Sequence, residues 1–265
     1  MQITLVPTAG LCNRMNAILS AIALNQHYHY PINIYWEKTS DCCAEYTDLF
    51  QPIEIEDITI SSLHKFYLKP GGKNNLFIPN IWRSMLFDAS YKGNKILDMD
   101  FNNLIKGKDK IYITAYNRFC PLKIQHSIGR FFRPIESIEN IINEITQKYE
   151  SNIIGVHIRR TDNIAAIAEN PIEKFISLMN KEIEVNPLCK FYLASDDYQI
   201  KEIFLEKFPN RIISPKWELS RNTVKGMKNA VTELYCLSRT KKIIGCTNST
   251  YSNTASRLYN IPLIL

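Results

Sequence analysis

Three polar clusters follow apolar runs in the second half of the chain. After Ile153–Val156 come His157, Arg159, Arg160 and Asp162; after Phe191–Ala194 come Ser195, Asp196 and Asp197; after Ile243–Gly245 come Thr247, Asn248, Ser249 and Ser252. Charge at the end of an apolar run is costly unless something pairs with it. Two adjacent guanidiniums offer fixed forks that suit phosphate oxygens. Hydroxyls just ahead of a helix stand beside its open N–H groups, where an anion can rest. Together these groups could hold a diphosphate without a metal. The bland alternatives are structural. Arg159 or Arg160 could pair with Asp162 or another acid as a staple. Asp196 and Asp197 could cap the next helix, Ser249 and Ser252 could begin one, and His157 could be a hydrogen-bonded core histidine. The convergence of three strand ends favours the ligand reading, because in open parallel sheets ligands bind beyond the carboxyl ends of the strands.

The elements that must position these groups follow from periodicity. Residues 2–7 and 32–36 read as strands flanking a helix over 15–28, a βαβ unit with a right-handed crossover. Residues 40–110 are punctuated by Pro52, Pro70, Gly71, Gly72 and Pro79 and read as short helices and irregular segments, with a strand over 110–116. From residue 134 the rhythm is regular. Helices are expected over 133–149, 170–185, 196–208, 224–240 and 250–259, with Asn170 as the N-cap of the second. Strands are expected over 152–158, 190–195, 211–214, 241–246 and 261–265. Alternation of this kind makes a parallel sheet covered on both faces. The domain boundary is placed near residue 150, giving domains 1–150 and 151–265. Strand alternation puts His157 and Arg159 on one face.

Composition sets outer bounds. The 265 residues carry a net charge of +6 and a hydrophobic fraction of 45%, which fits a globular α/β protein. The first 150 residues are near neutral, with 16 basic and 15 acidic side chains; the rest hold 16 and 11. That excess suits an anionic ligand or simply solvated lysines. Seven cysteines without a CxxC pair, and five dispersed histidines, give no zinc spacing. They fit reduced thiols in a cytoplasmic protein. No run approaches a membrane span and no secretory leader is visible. Basic clusters interleaved with aromatics are not prominent, so nucleic acid is not an expected partner.

The stretch "HIRRTDN" resembles the H-x-R-R-x-D signature of the GDP-fucose-dependent fucosyltransferases, most of all the α1,6-fucosyltransferases that include the bacterial nodulation enzymes. "NPIEKF", "FYLASDD" and "TELYCLSRTKKIIGCTNSTYS" are similar to that family's later blocks in the same order, and "GLCNRMNAILSAIAL" with "INIYW" to its opening turn, helix and strand. The resemblance implies a GT-B glycosyltransferase with two Rossmann-like domains, an acceptor-side N-terminal one and a C-terminal one binding GDP-fucose. It implies inversion at the fucose carbon, with no metal and no cofactor. Carried over by position, Arg159 binds the diphosphate and Arg160 supports it. His157 approaches guanine, and Glu233 stands where the family has an aspartate contacting that base. Ser249 contacts phosphate, with Ser252 on the same helix. Asp162 and Asp196 hold the crevice, and Gly10 and Asn13 face the donor phosphates. Asn163 stands where a lysine is common. The family's proposed base, a glutamate, aligns with Ile167, and Glu169 nearby is nominated instead.

The expected function is transfer of fucose from GDP-fucose to a hydroxyl of an oligosaccharide or polysaccharide acceptor. Another GDP-sugar, or nucleotide-sugar binding without catalysis, are the alternatives. Peripheral contact with the inner membrane surface is compatible with the basic charge, although no amphipathic anchor is evident from the sequence. Oligomeric state is not legible.

Overall fold

The computed structural model describes residues 1–97, 99–122, 124, 128–150, 152–161 and 164–265, with only the backbone of 164–166. The chain forms two compact units. The first comprises Met1–Arg133 with Arg221–Val224, and the second Pro134–Ser220 with Lys225–Leu265.

The first unit is built on a five-stranded parallel sheet in the order β3-β2-β1-β5-β4. Its strands are β1 (Gln2–Pro7), β2 (Ile32–Trp36), β3 (Ile58–Ser62), β4 (Ala89–Lys92) and β5 (Lys110–Ala115). Helix α1 (Leu11–Tyr28) is buried along most of its length, and its buried residues include the polar Arg14, Asn16, Ser20 and Asn25 as well as its apolar ones. It starts four residues earlier than periodicity predicts, taking in the polar turn. It ends at His29, whose left-handed backbone returns an N–H to Asn25 at 2.8 Å. Short helices α2 (Tyr46–Leu49), α3 (Ile78–Leu86), α4 (Gly93–Ile96) and α5 (Phe101–Ile105) fill the connections. Strands β3 and β4, not expected in this punctuated region, are its two sheet edges. Only one residue of β3 and none of β4 is fully buried, which leaves little apolar alternation to read. Helix α3 is amphipathic, a feature not evident from the sequence, where this region reads only as short helices and irregular segments.

The second unit has its own five-stranded parallel sheet, in the order β10-β9-β6-β7-β8. The strands are β6 (Ile153–Ile158), β7 (Lys190–Ser195), β8 (Ile212–Ile213), β9 (Ile243–Ile244) and β10 (Leu263–Ile264). The helices are α6 (Glu136–Thr146), α7 (Ile164–Glu169), α8 (Ile172–Val185), α9 (Tyr198–Lys207), α10 (Val224–Ser238) and α11 (Thr250–Tyr259). Central β6 is buried at every residue, the mark of a strand covered on both faces. Ile154, Val156 and Ile158 pack on one face with Phe175, Met179, Phe191, Leu193 and Phe204. Gly155 and His157 belong to the other face.

The units divide at Pro134 rather than near residue 150. Helix α6 belongs to the second unit. It buries Ile138, Ile142 and Ile145, and Arg239 of α10 donates to Asn143 at 2.6 Å and to Glu139.

Candidate active site

In each sheet the chain moves outward on one side of its first strand and later returns to the other side. The second sheet runs β6 to β7 to β8, then crosses to β9 and β10, so its order reverses between β6 and β9. The crevice at such a reversal is where open α/β sheets take ligands. The first and third polar clusters of the sequence flank this point.

Strand β6 ends at Ile158, so Arg159 and Arg160 already lie in the turn and the expected shared face with His157 stops one residue short. Asp196, next after β7, fixes that turn. Its carboxylate accepts the Arg160 N–H at 2.7 Å and the Thr161 hydroxyl at 2.6 Å. The neighbouring Asp197 caps α9 by accepting the Gln199 N–H at 2.7 Å. The two adjacent aspartates thus divide their work: one holds a turn and the other caps a helix. Arg159 and Arg160 are half-buried. The Arg160 guanidinium donates to the Asn170 carbonyl at 2.7 Å. Asp162 lies outside the described residues.

His157 is buried, with Nδ1 at 2.7 Å from the Ser252 hydroxyl and its ring stacked 4.7 Å from that of Tyr251. Burial pushes its pKa down from 6.5 to about 4, so the ring is neutral near pH 7. Ser252 also accepts the Cys246 N–H at 3.2 Å. Cys246 in turn accepts the Arg159 N–H at 3.4 Å and donates to the His157 carbonyl at 3.4 Å. These bonds lace the ends of β6 and β9 together beyond their ladder. Gly245 is required here, because a Cβ would come within 2.8 Å of Ser252. Ser249 is fully buried and caps α11, accepting the Ser252 N–H at 3.4 Å.

Glu233 on α10 is buried and paired with Lys201 of α9 at 2.5 Å, and it accepts the Trp217 indole N–H at 3.1 Å. Both bonds fall on Oε1. Burial raises the Glu233 carboxyl above the usual range, and Lys201 partly counters this. Glu169, the last residue of α7, is exposed and accepts from the Asn248 amide at 2.7 Å. Ile167, two residues earlier, is half-buried. Asn170 is not the cap of α8, which begins after Pro171. Its fully buried amide instead accepts the Thr247 N–H at 2.9 Å and the Lys174 ammonium at 3.2 Å. It ties the loop after β9 to the start of α8.

The first sheet reverses between β1 and β5; Gly10 lies in the turn after β1 and Asn13 in the first turn of α1. Gly10 is the N-cap of α1 in extended conformation, after Ala9 with φ of 63°. Asn13 is half-buried, and its Oδ1 is buried with no partner among the described residues. Arg14 is fully buried. It donates to the carbonyls of Ala9, at 2.6 Å, and Glu37, donates to the Thr39 hydroxyl at 2.7 Å, and stacks over Trp36 at 4.8 Å.

Four contributors escaped the sequence reading: Arg14, Asn170, Lys201 and Cys246. Asn170 carried a signal, an asparagine before proline, but one that reads as a helix cap. Lys201 lies between Ile200 and Phe204 on the buried side of α9, where a lysine announces nothing. Among the described residues no His, Cys, Asp or Glu side chains gather in a metal-holding group.

No family model matches the chain. Solved structures do. A structure of the α-1,6-fucosyltransferase NodZ soaked with GDP-fucose superposes with a TM-score of 0.62 at 15% identity, covering 99% of this chain and 94% of that one. The Arabidopsis thaliana FUT1 structure, in complex with GDP, gives 0.66 at 14%, covering 99% and 69%. POFUT1 in complex with GDP-fucose gives 0.61 at 12%, covering 99% and 96%. The chain therefore has the α/β fold of the GT-B fucosyltransferases, with two parallel sheets, as the sequence leads one to expect.

Proposed function

We propose that the protein is an inverting fucosyltransferase that moves fucose from GDP-fucose to a hydroxyl of a glycan acceptor, the second unit binding the donor and the first serving the acceptor. The observation that carries this reading is the β6–β9 reversal. There a turn with two arginines, pinned by Asp196 and Cys246, stands beside the buried start of α11, in a fold whose solved examples include complexes with GDP and GDP-fucose.

In this reading the acceptor oxygen forms a bond to the fucose anomeric carbon as the bond from that carbon to the diphosphate oxygen breaks on the opposite face. The electron pair leaves with GDP. Arg159 and Arg160 stabilise the charge that grows there, an effect worth roughly 3 kcal/mol per well-placed donor. Their backbone is fixed beforehand by bonds that involve no ligand, so little reorganisation is needed at the moment of reaction. Glu233 keeps Oε2 for the N1 and N2 hydrogens of guanine while Lys201 and Trp217 occupy Oε1. His157 and Ser252 act by holding the strand ends. The phosphates lie at Ser249 and the start of α11. Glu169, held by Asn248, takes the acceptor proton. No cofactor is required by these steps.

Assaying GDP-fucose, GDP-mannose and UDP-sugars with an array of glycan acceptors tests the proposal. Fucosyl transfer from GDP-fucose alone is expected, with competitive inhibition by GDP. Transfer from GDP-mannose in its place would change the donor. Tight GDP binding with no transfer to any acceptor would support the second reading, a non-catalytic nucleotide-sugar-binding protein. That reading is favoured by Ile167, which stands where a catalytic glutamate is expected.

A further inference from the structure

Helix α3 is built inside out. Its buried residues are Pro79 and Arg83, while Ile78, Ile81, Trp82, Met85 and Leu86 face solvent. At about 100° per residue, these five side chains fill one continuous arc of roughly 140°. Arg83 accounts for the orientation. Its guanidinium stacks on Tyr112 of β5 at 4.4 Å and donates to the Tyr67 carbonyl at 3.0 Å and to Asn80. The helix is held to the sheet by its cation, and its apolar side is turned out.

The turn before α3 extends the same surface. Leu76 and Phe77 lie in the left-handed region with φ of 51° and 56°, a conformation disfavoured for bulky side chains. Leu76 is 77% exposed and Met85 75%. Phe66 meets Trp82 edge-on at 5.9 Å and widens the patch. Monomer surfaces seldom show this much contiguous apolar area without a use for it.

The charge around the patch names its counterpart. From Ile58 to Phe87 the chain has Lys65, Lys69, Lys73 and Arg83 and no aspartate or glutamate. The three lysines are exposed, and among the described residues only Lys69 has a carboxylate partner, Glu37 at 3.3 Å.

We infer that the outward face of α3, with Leu76, Phe77 and Phe66, docks on an anionic lipid surface. The apolar arc enters the headgroup boundary, where a tryptophan is at home, and the lysines meet lipid phosphates. A second copy of the chain fits less well, because a two-fold contact through this patch brings its own lysine rim against itself. The inference does not depend on the reaction assigned to the protein.

Co-sedimentation of the full chain with phosphatidylglycerol–phosphatidylcholine vesicles, and with phosphatidylcholine alone, tests it. The protein is expected to pellet with the anionic vesicles, more weakly with the neutral ones, and to show a blue shift of Trp82 emission. A Lys65→Gln/Lys73→Gln variant should bind about 25-fold more weakly, about five-fold per charge. An Ile81→Asp/Met85→Asp variant should remain in the supernatant, with unchanged far-UV circular dichroism. No pelleting of the wild type, equal pelleting of either variant, or equal binding to neutral vesicles would overturn the inference. So would a dimer in light scattering that Ile81→Asp/Met85→Asp breaks into monomers, since a second copy would then cover the face.

Discussion

The two sheets reverse their strand order in the same way, yet the polar groups at the two reversals are wired with opposite polarity. After β1 a cation, Arg14, collects acceptors: the carbonyls of Ala9 and Glu37 and the hydroxyl of Thr39. After β6 an anion, Asp196, collects donors: the N–H of Arg160 and the hydroxyl of Thr161. Each device satisfies groups that a turn leaves without ladder partners. In the first unit the arginine is consumed as the fastener and is fully buried. In the second an aspartate is the fastener, and the two arginines sit half-buried at the strand end. An arginine at a strand end is therefore a ligand candidate only when something else does the fastening.

Removing the fastener should hurt the fold, and removing the candidate ligand group should hurt the chemistry. Arg14→Ala strands three acceptors in a buried place and should cost about 3–5 kcal/mol in urea unfolding. A loss below about 1 kcal/mol would break the contrast. Arg159→Ala should leave stability within about 1 kcal/mol and lower kcat for the proposed fucosyl transfer by roughly 100- to 1000-fold. Near-normal turnover would remove the arginine from the mechanism.

The histidine beside it sharpens the comparison by pH. Folding depresses its pKa from 6.5 to about 4, so the unfolded chain takes up this proton first as pH falls. Stability from this group is full above 6.5 and declines through that window by up to about 3 kcal/mol. Urea midpoints measured across the range should show the slope, and His157→Gln should lose it whatever its absolute stability. The smallest effect belongs to Asp196→Asn, which keeps the shape but loses one acceptor. A cost of about 1–2 kcal/mol, or roughly 2–6 °C in Tm, is expected.

Much of the second unit is legible in the sequence because its strands are buried on both faces and its helices are amphipathic. β7 and α11 fall on the predicted residues, and the three polar clusters lie at the strand ends where that pattern puts them. The wiring is not legible. Asn170 has the composition of a cap and serves as a tie between loops. His157 and Ser252 bond each other across 95 positions of sequence, and Lys201 finds Glu233 across 32. Local periodicity carries no information about such pairs. Helix α7 shows no readable period because its six residues, "IAAIAE", span less than two turns. In the first unit, α3 shows apolar residues at helical spacing, but Pro79 reads as a break. Its outward-facing side also inverts the rule by which apolar periodicity is assigned to the core.

The thiols described above have a practical consequence. All seven cysteines are free and all but Cys43 are buried. Burial pushes Cys42 up to about 11 and Cys236 up to about 12, and it raises Cys246 as well. Thiolate is the reactive form, so these side chains should be silent toward alkylating reagents while the protein is folded. The native chain thus comes with one addressable cysteine. Its backbone N–H bonds the Arg221 carbonyl at 3.0 Å, so a fluorophore placed there would report on the segment that returns from the second unit to the first.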